Sequence, residues 1–158
     1  MEQRDFAQMV LAECAELLGA GDLTLDETGY CALVSEREDV LHIKLDGSQN
    51  ALIFMAALSD DGMDADNAFL LAGLLRANFF WERTGGATLA MEPDGNALLL
   101  EQLFFLEGRT GKDLRDFVLR FADLLEIWRG EYEDLKEQSR EESQPFVVTE
   151  GNASLRPE

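Results

Sequence analysis

Between Asn67 and Asn78 the chain reads Asn-Ala-Phe-Leu-Leu-Ala-Gly-Leu-Leu-Arg-Ala-Asn, a helical run that is apolar on almost every side. A surface helix carries one apolar stripe, whereas a helix apolar all round has to be covered on all sides. In so short a chain a second copy of the same chain is a natural cover, so this run predicts a homodimer. The face bearing Leu71, Leu75 and Asn78 is expected near the two-fold axis, with Leu74 also in the interface. Phe69 and Leu70 are expected to turn to the core.

The other elements follow from period and punctuation. Over Asp5–Leu18, Phe6, Met9, Val10, Cys14, Leu17 and Leu18 recur at three- and four-residue steps and predict a helix stopped by Gly19 and Gly21. Leu23–Asp26 and Tyr30–Ser35 read as strands around Glu27-Thr-Gly29. Val40–Leu45 alternates, with Leu41, Ile43 and Leu45 on one face and Val40, His42 and Lys44 on the other. Ala51–Leu58 is apolar on both faces, as in a central or doubly covered strand. The acidic loop Ser59–Asp66 ends in candidate helix caps, Asp64 or Asp66. Ala87–Met91 and Ala97–Leu103 form a hairpin pair around Glu92-Pro-Asp-Gly95. Thr110, with Asp113 three residues on, can cap a long helix whose apolar stripe runs from Leu114 through Trp128 to Leu135. From about Ser139 the periodicity ends.

The order is helix, strands, helix, two strands, helix (α-β-β-β-α-β-β-α). It predicts one α+β domain over residues 1–140, an antiparallel twisted sheet with three helices. Residues 141–158, with two prolines, Gly151 and Asn152 past Ser143, read as a disordered C-terminal tail.

Charge changes the picture of partners. Against 13 basic residues stand 32 acidic ones, a net charge of −19. This serves solubility, or it marks a surface for a basic or polar partner. Nucleic acid is disfavoured, because no Lys/Arg cluster is present to neutralise phosphates. The N-terminus lacks a basic stretch followed by an apolar core, so no signal peptide is read. Ala51–Leu58, the longest apolar run, is too short to span a bilayer, so no membrane insertion is expected. Cys14 and Cys31 lie in different elements and read as buried free thiols, which suits a reducing, cytoplasmic setting.

Little in the chain points to catalysis. His42 is the sole histidine and sits beside Lys44 on an alternating strand, which favours a surface role over a triad. One histidine and two scattered cysteines make no zinc site, and no cofactor motif is present. Gly111-Lys112 resembles the end of a phosphate loop, but Leu106 stands where the first Gly belongs and Asp113 replaces Ser/Thr. Asp60, Asp61, Asp64 and Asp66 read as a solvated, helix-capping loop more readily than as a cation site. Carboxylate catalysis has no positive support, so no enzyme is read.

With this element order, the chain resembles the class I type III secretion chaperones, the CesT-like (Tir chaperone) family. The resemblance rests on the first helix running into Leu23-Thr-Leu-Asp-Glu-Thr-Gly-Tyr-Cys-Ala-Leu33. It rests also on Leu74-Leu-Arg-Ala-Asn78 followed by Gly86-Ala-Thr-Leu-Ala-Met-Glu-Pro-Asp-Gly-Asn-Ala-Leu-Leu-Leu100, and on the final helix Asp113–Leu135. The tail past Arg140 and the aromatic exit Phe79-Phe-Trp81 depart from the family's simplest pattern. The resemblance implies a homodimer held by the middle helix and adjoining strand. It also implies a client, the unfolded N-terminal segment of one or more secreted effectors, kept soluble and secretion-competent in a Gram-negative cytoplasm. An acidic inhibitor or immunity-type protein masking a folded basic partner is the competing reading.

A client groove is expected where the first helix meets the outer strands, lined by Phe6, Val10, Leu17, Leu33, Leu41 and Ile43, with an acidic rim of Glu2, Glu13 and Glu16. A core role competes for most of these, and for Leu41 and Ile43 it is the stronger reading.

Overall fold

The computed structural model describes residues 1–59, 61–95 and 97–142. In chain order the elements are α1 (Gln3–Leu18), β1 (Tyr30–Val34), β2 (Val40–Asp46), β3 (Ala51–Ala57), α2 (Ala68–Ala77), a 3-10 turn (Phe79–Trp81), β4 (Thr88–Met91), β5 (Leu98–Phe105) and α3 (Gly111–Glu142). The five strands form one antiparallel sheet in the order β1-β2-β3-β5-β4. This is the predicted α+β order. The tail from Ser143 lies outside the described residues, as does Asp60.

Alternation along the strands sorts the sheet into two unlike faces. Cys31 and Leu33 of β1, Leu41 and Ile43 of β2, Leu52 and Phe54 of β3, and Leu100 and Phe104 of β5 are buried in the main core. Phe117 of α3 wedges between Phe54 and Phe104, with ring centroids 5.0 and 5.2 Å away. α1 lies against α3 through Ala7, Val10, Leu11 and Cys14, all fully buried. Desolvation in this core raises both thiols, Cys14 and Cys31, to about 11.

Leu23–Asp26 is not a strand. Leu23 and Leu25 are buried, and the Gln8 side chain does the pairing. Its amide donates to the Leu23 carbonyl at 2.7 Å and accepts from the Leu25 N–H at 2.9 Å. A glutamine on α1 thereby substitutes for a neighbouring strand.

Caps set the helix starts. Asn67, rather than Asp64 or Asp66, caps α2 by accepting from the Leu70 N–H at 3.0 Å. Asp64 is engaged in its own turn, accepting from the Asp66 N–H. Thr110 and Asp113 form the predicted reciprocal cap. The two hydrogen bonds from Thr110 hold the Asp113 carboxyl below its usual pKa. α3 continues past the point where its apolar period ends, to Glu142. Its last turns bear on α2: Leu135 packs on Gly73, and the Asn67 amide bonds the buried Ser139 hydroxyl. Arg129 ties α3 to the β1–β2 turn through the buried Asp39 and to the Ala57 carbonyl at 3.1 Å.

α3 begins in tight contact with α1. The Gly111 N–H donates to the Glu13 carboxylate at 3.0 Å. A Cβ at position 111 would lie 2.2 Å from the Glu13 Cβ and 2.9 Å from the Cys14 backbone nitrogen. Backbone on one side leaves no room to yield, so Gly111→Ala should cost about 3 kcal/mol of stability. Urea unfolding with an unchanged midpoint would contradict this.

Candidate interaction surfaces

The structure divides the residues expected in the client groove. Val10, Leu33, Leu41 and Ile43 are core, not groove. Val10 faces α3 on the packed side of α1, and the alternation of β1 and β2 turns the other three inward. Phe6 is half-buried against the core, and Leu17 is 50% exposed. Only these two of the six can be reached from solvent, so the set does not form a continuous groove.

α2 is corrected in the same way. Leu70, Leu74 and Ala77, at i, i+4 and i+7, are the buried stripe. Leu74 is therefore core of the single chain, not interface. Phe69, expected inside, is 41% exposed. Leu71 and Asn78 are half-buried. The Asn78 amide clamps the edge of the sheet, accepting from the Leu89 N–H at 2.8 Å and donating to the Leu89 carbonyl at 3.0 Å. It thus closes part of the outer edge of β4 to strand addition.

The open side of α2 carries Ala68, Ala72, Leu75 and, one turn on, Phe79, again at helical spacing. Leu75 is 70% exposed, Phe79 73% and Phe80 72%. Phe80 and Trp81 both hold positive φ, 51° and 55°. For bulky L-residues this conformation costs about 1–3 kcal/mol each. The chain accepts that strain while Phe79 and Phe80 stand outward, packed edge to face at 4.5 Å. The Trp81 indole N–H turns back to the Thr88 hydroxyl at 3.1 Å. Leu75, Arg76, Asn78, Phe79 and Phe80 surround an open hollow of about 660 Å³.

The second surface is the sheet face opposite the main core. Val34, Val40, Ile53, Met55, Leu99, Leu103 and Phe105 point that way, all exposed or half-buried. The signal for it was already in β3, whose residues are apolar on both faces although three helices can cover only one. His42 lies on this face, its Nδ1 bonded to the Tyr30 hydroxyl at 2.7 Å. Among the described residues, no group of three or more His, Cys, Asp or Glu is placed to hold a metal ion. No described helix is long and apolar enough to cross a membrane.

An acidic body that leaves an apolar helix stripe and an apolar sheet face bare is built to associate with something else. The chain belongs to the Tir chaperone protein (CesT) family, whose model matches residues 9–129, and it is a chaperone of that family. Similar folds occur in solved complexes. A chain in the ExsC–ExsE complex superposes with a TM-score of 0.69 at 19% identity, covering 82% of this chain and 95% of that one. One in the HopA1–SchA chaperone–effector complex gives 0.62 at 19%, covering 83% and 95%. The Yersinia pestis type III secretion chaperone SycH, in complex with a stable fragment of YscM2, gives 0.58 at 21%, covering 75% and 95%. No curated protein matches the chain by sequence.

Proposed function

We propose that this chain is a type III secretion chaperone that works in the bacterial cytoplasm as a homodimer. It binds the unfolded N-terminal segment of one or more secreted effectors and keeps that segment soluble and competent for export. The observation that carries the reading is the pairing of a net charge of −19 with a bare apolar sheet face and a bare helix stripe. The charge keeps the protein dispersed while the apolar surfaces accept side chains that would otherwise aggregate. An unfolded segment costs ordering entropy on binding, so it needs a long surface, and two protomers supply twice the length.

The dimer forms through the open side of α2. Leu75 and Phe79 are its centre and Leu71 its flank, while Leu74 and Asn78 hold α2 and β4 in place behind it. Phe6 and Leu17 on α1 are peripheral client contacts.

Affinity capture from the source cell, followed by mass spectrometry, tests the reading. A secreted protein should be recovered, and deleting its N-terminal segment should abolish recovery. Capture of non-secreted proteins alone would overturn it.

The domain is taken to end near residue 140, so removing Ser143–Glu158 should leave the melting temperature unchanged. Its composition offers little apolar area against a chain-ordering cost of about 1–2 kcal/mol per residue. A drop of many degrees on deletion would show that Phe146–Val148 docks on the domain.

A further inference from the structure

The register of the sheet places Ala32, His42, Met55, Glu101 and Thr88 in one row across the five strands, on the face away from the main core. Val34, Val40, Leu99 and Ala90 make the next row on one side. Tyr30, Lys44, Ile53 and Leu103 make the row on the other. Glu101 is therefore a carboxylate between Met55 and Thr88, with Leu99 and Leu103 on either side of it along its own strand. It is half-buried, and its carboxylate makes no hydrogen bond or ion pair among the described residues.

The other charged groups of this face are already engaged. The Lys44 ammonium donates to the Thr28 carbonyl, and Lys44 sits two strands and one row from Glu101, roughly 12 Å off by sheet spacings. The Asp46 carboxylate accepts from Ser48 and Gln49. Covering Glu101 with apolar side chains alone would strip the carboxylate of water with nothing in return, a cost that only a cation or strong donors relieve. The net charge of the chain draws basic segments in the same sense.

We propose that this sheet face is a client-reading surface, and that Glu101 selects an extended apolar segment carrying a Lys or Arg at the position that lands on it. The inference rests on the chaperone reading and adds a specificity residue to it. Apolar positions of the client fill the ground between Val40, Met55, Leu99 and Leu103. The basic residue fixes register, because sliding the segment by one position leaves both charges unpaired. A client with no basic residue in its apolar stretch is discriminated against by the same cost.

The test uses the full chain and Glu101→Gln, which keeps side-chain size and removes only the charge. Light scattering and thermal melts establish that the variant keeps the wild-type mass and fold. The probes are two fluorescein-labelled synthetic peptides of about 20 residues, alternating Val and Ile with Ser and Thr. One has a single central Arg and the other has citrulline there. The wild-type chain should bind the Arg peptide at least about tenfold more tightly, with the difference shrinking as salt rises. Glu101→Gln should bind both alike.

Equal binding of the two peptides by the wild-type chain, binding of neither, or a preference that survives Glu101→Gln would overturn the inference. So would a changed oligomeric mass, which would place Glu101 in the dimer interface. The same variant is then used in the capture experiment. A secreted protein recovered equally by wild type and variant overturns the Glu101 role and leaves the chaperone reading intact. Recovery of no secreted protein by either overturns the chaperone reading itself.

Discussion

Val10→Asp abolishes folding. Val10 is fully buried where α1 meets α3, beside Ala7, Leu11 and Cys14. The substitution removes a buried methyl pair and places a carboxylate in an apolar, fully buried position. Either the charge is buried or the two helices separate, and the penalty is about 4–5 kcal/mol or more. Domains of this size have about 5–15 kcal/mol in total, so most or all of the stability is lost. Far-ultraviolet circular dichroism and a thermal melt decide the matter. A cooperative transition at the wild-type temperature would mean that Val10 is solvent-facing and that the α1–α3 contact is wrong.

Leu75→Glu has the opposite character: the protomer stays folded and the dimer dissociates. Leu75 is largely exposed in the single chain, so the protomer loses little by its replacement. In a two-fold interface each substitution counts twice and brings two like charges near the axis. At about 2 kcal/mol per copy the dissociation constant rises roughly a thousandfold. Sedimentation equilibrium at micromolar concentration should give the monomer mass with an intact circular dichroism spectrum. Leu74→Glu, one residue earlier, should instead unfold the chain, because Leu74 is core. A dimer that survives Leu75→Glu would move the interface off α2.

Most elements were legible because their periods were clean. Val40–Asp46 alternates, α3 carries one stripe from Leu114 to Tyr132, and Thr110 with Asp113 announces a helix start. Three things were not legible. Gln8 and Asn78 pair with backbone through their side-chain amides, and no local pattern marks a side chain that will act as a strand partner. On α2, apolar residues on every side hide which stripe faces inward. The choice falls to Leu70, Leu74 and Ala77 only once α3 and β4 are in place. The groove set drawn around Val10, Leu41 and Ile43 failed for a related reason, since residues that look adhesive are the ones the core consumes first. The bare sheet face was readable in principle: β3 is apolar on both sides, and the chain has helices enough for one side only.

The client should be held as an unfolded segment rather than as a folded domain. The direct measurement is hydrogen exchange on the complex of the full chain with its captured secreted partner. The partner's N-terminal segment should gain protection only on binding, and a peptide of that segment alone should compete with the whole protein at comparable affinity. A partner that binds only when folded, with protection spread over a preformed basic surface and no competition from the peptide, would contradict chaperone binding and identify an acidic inhibitor instead.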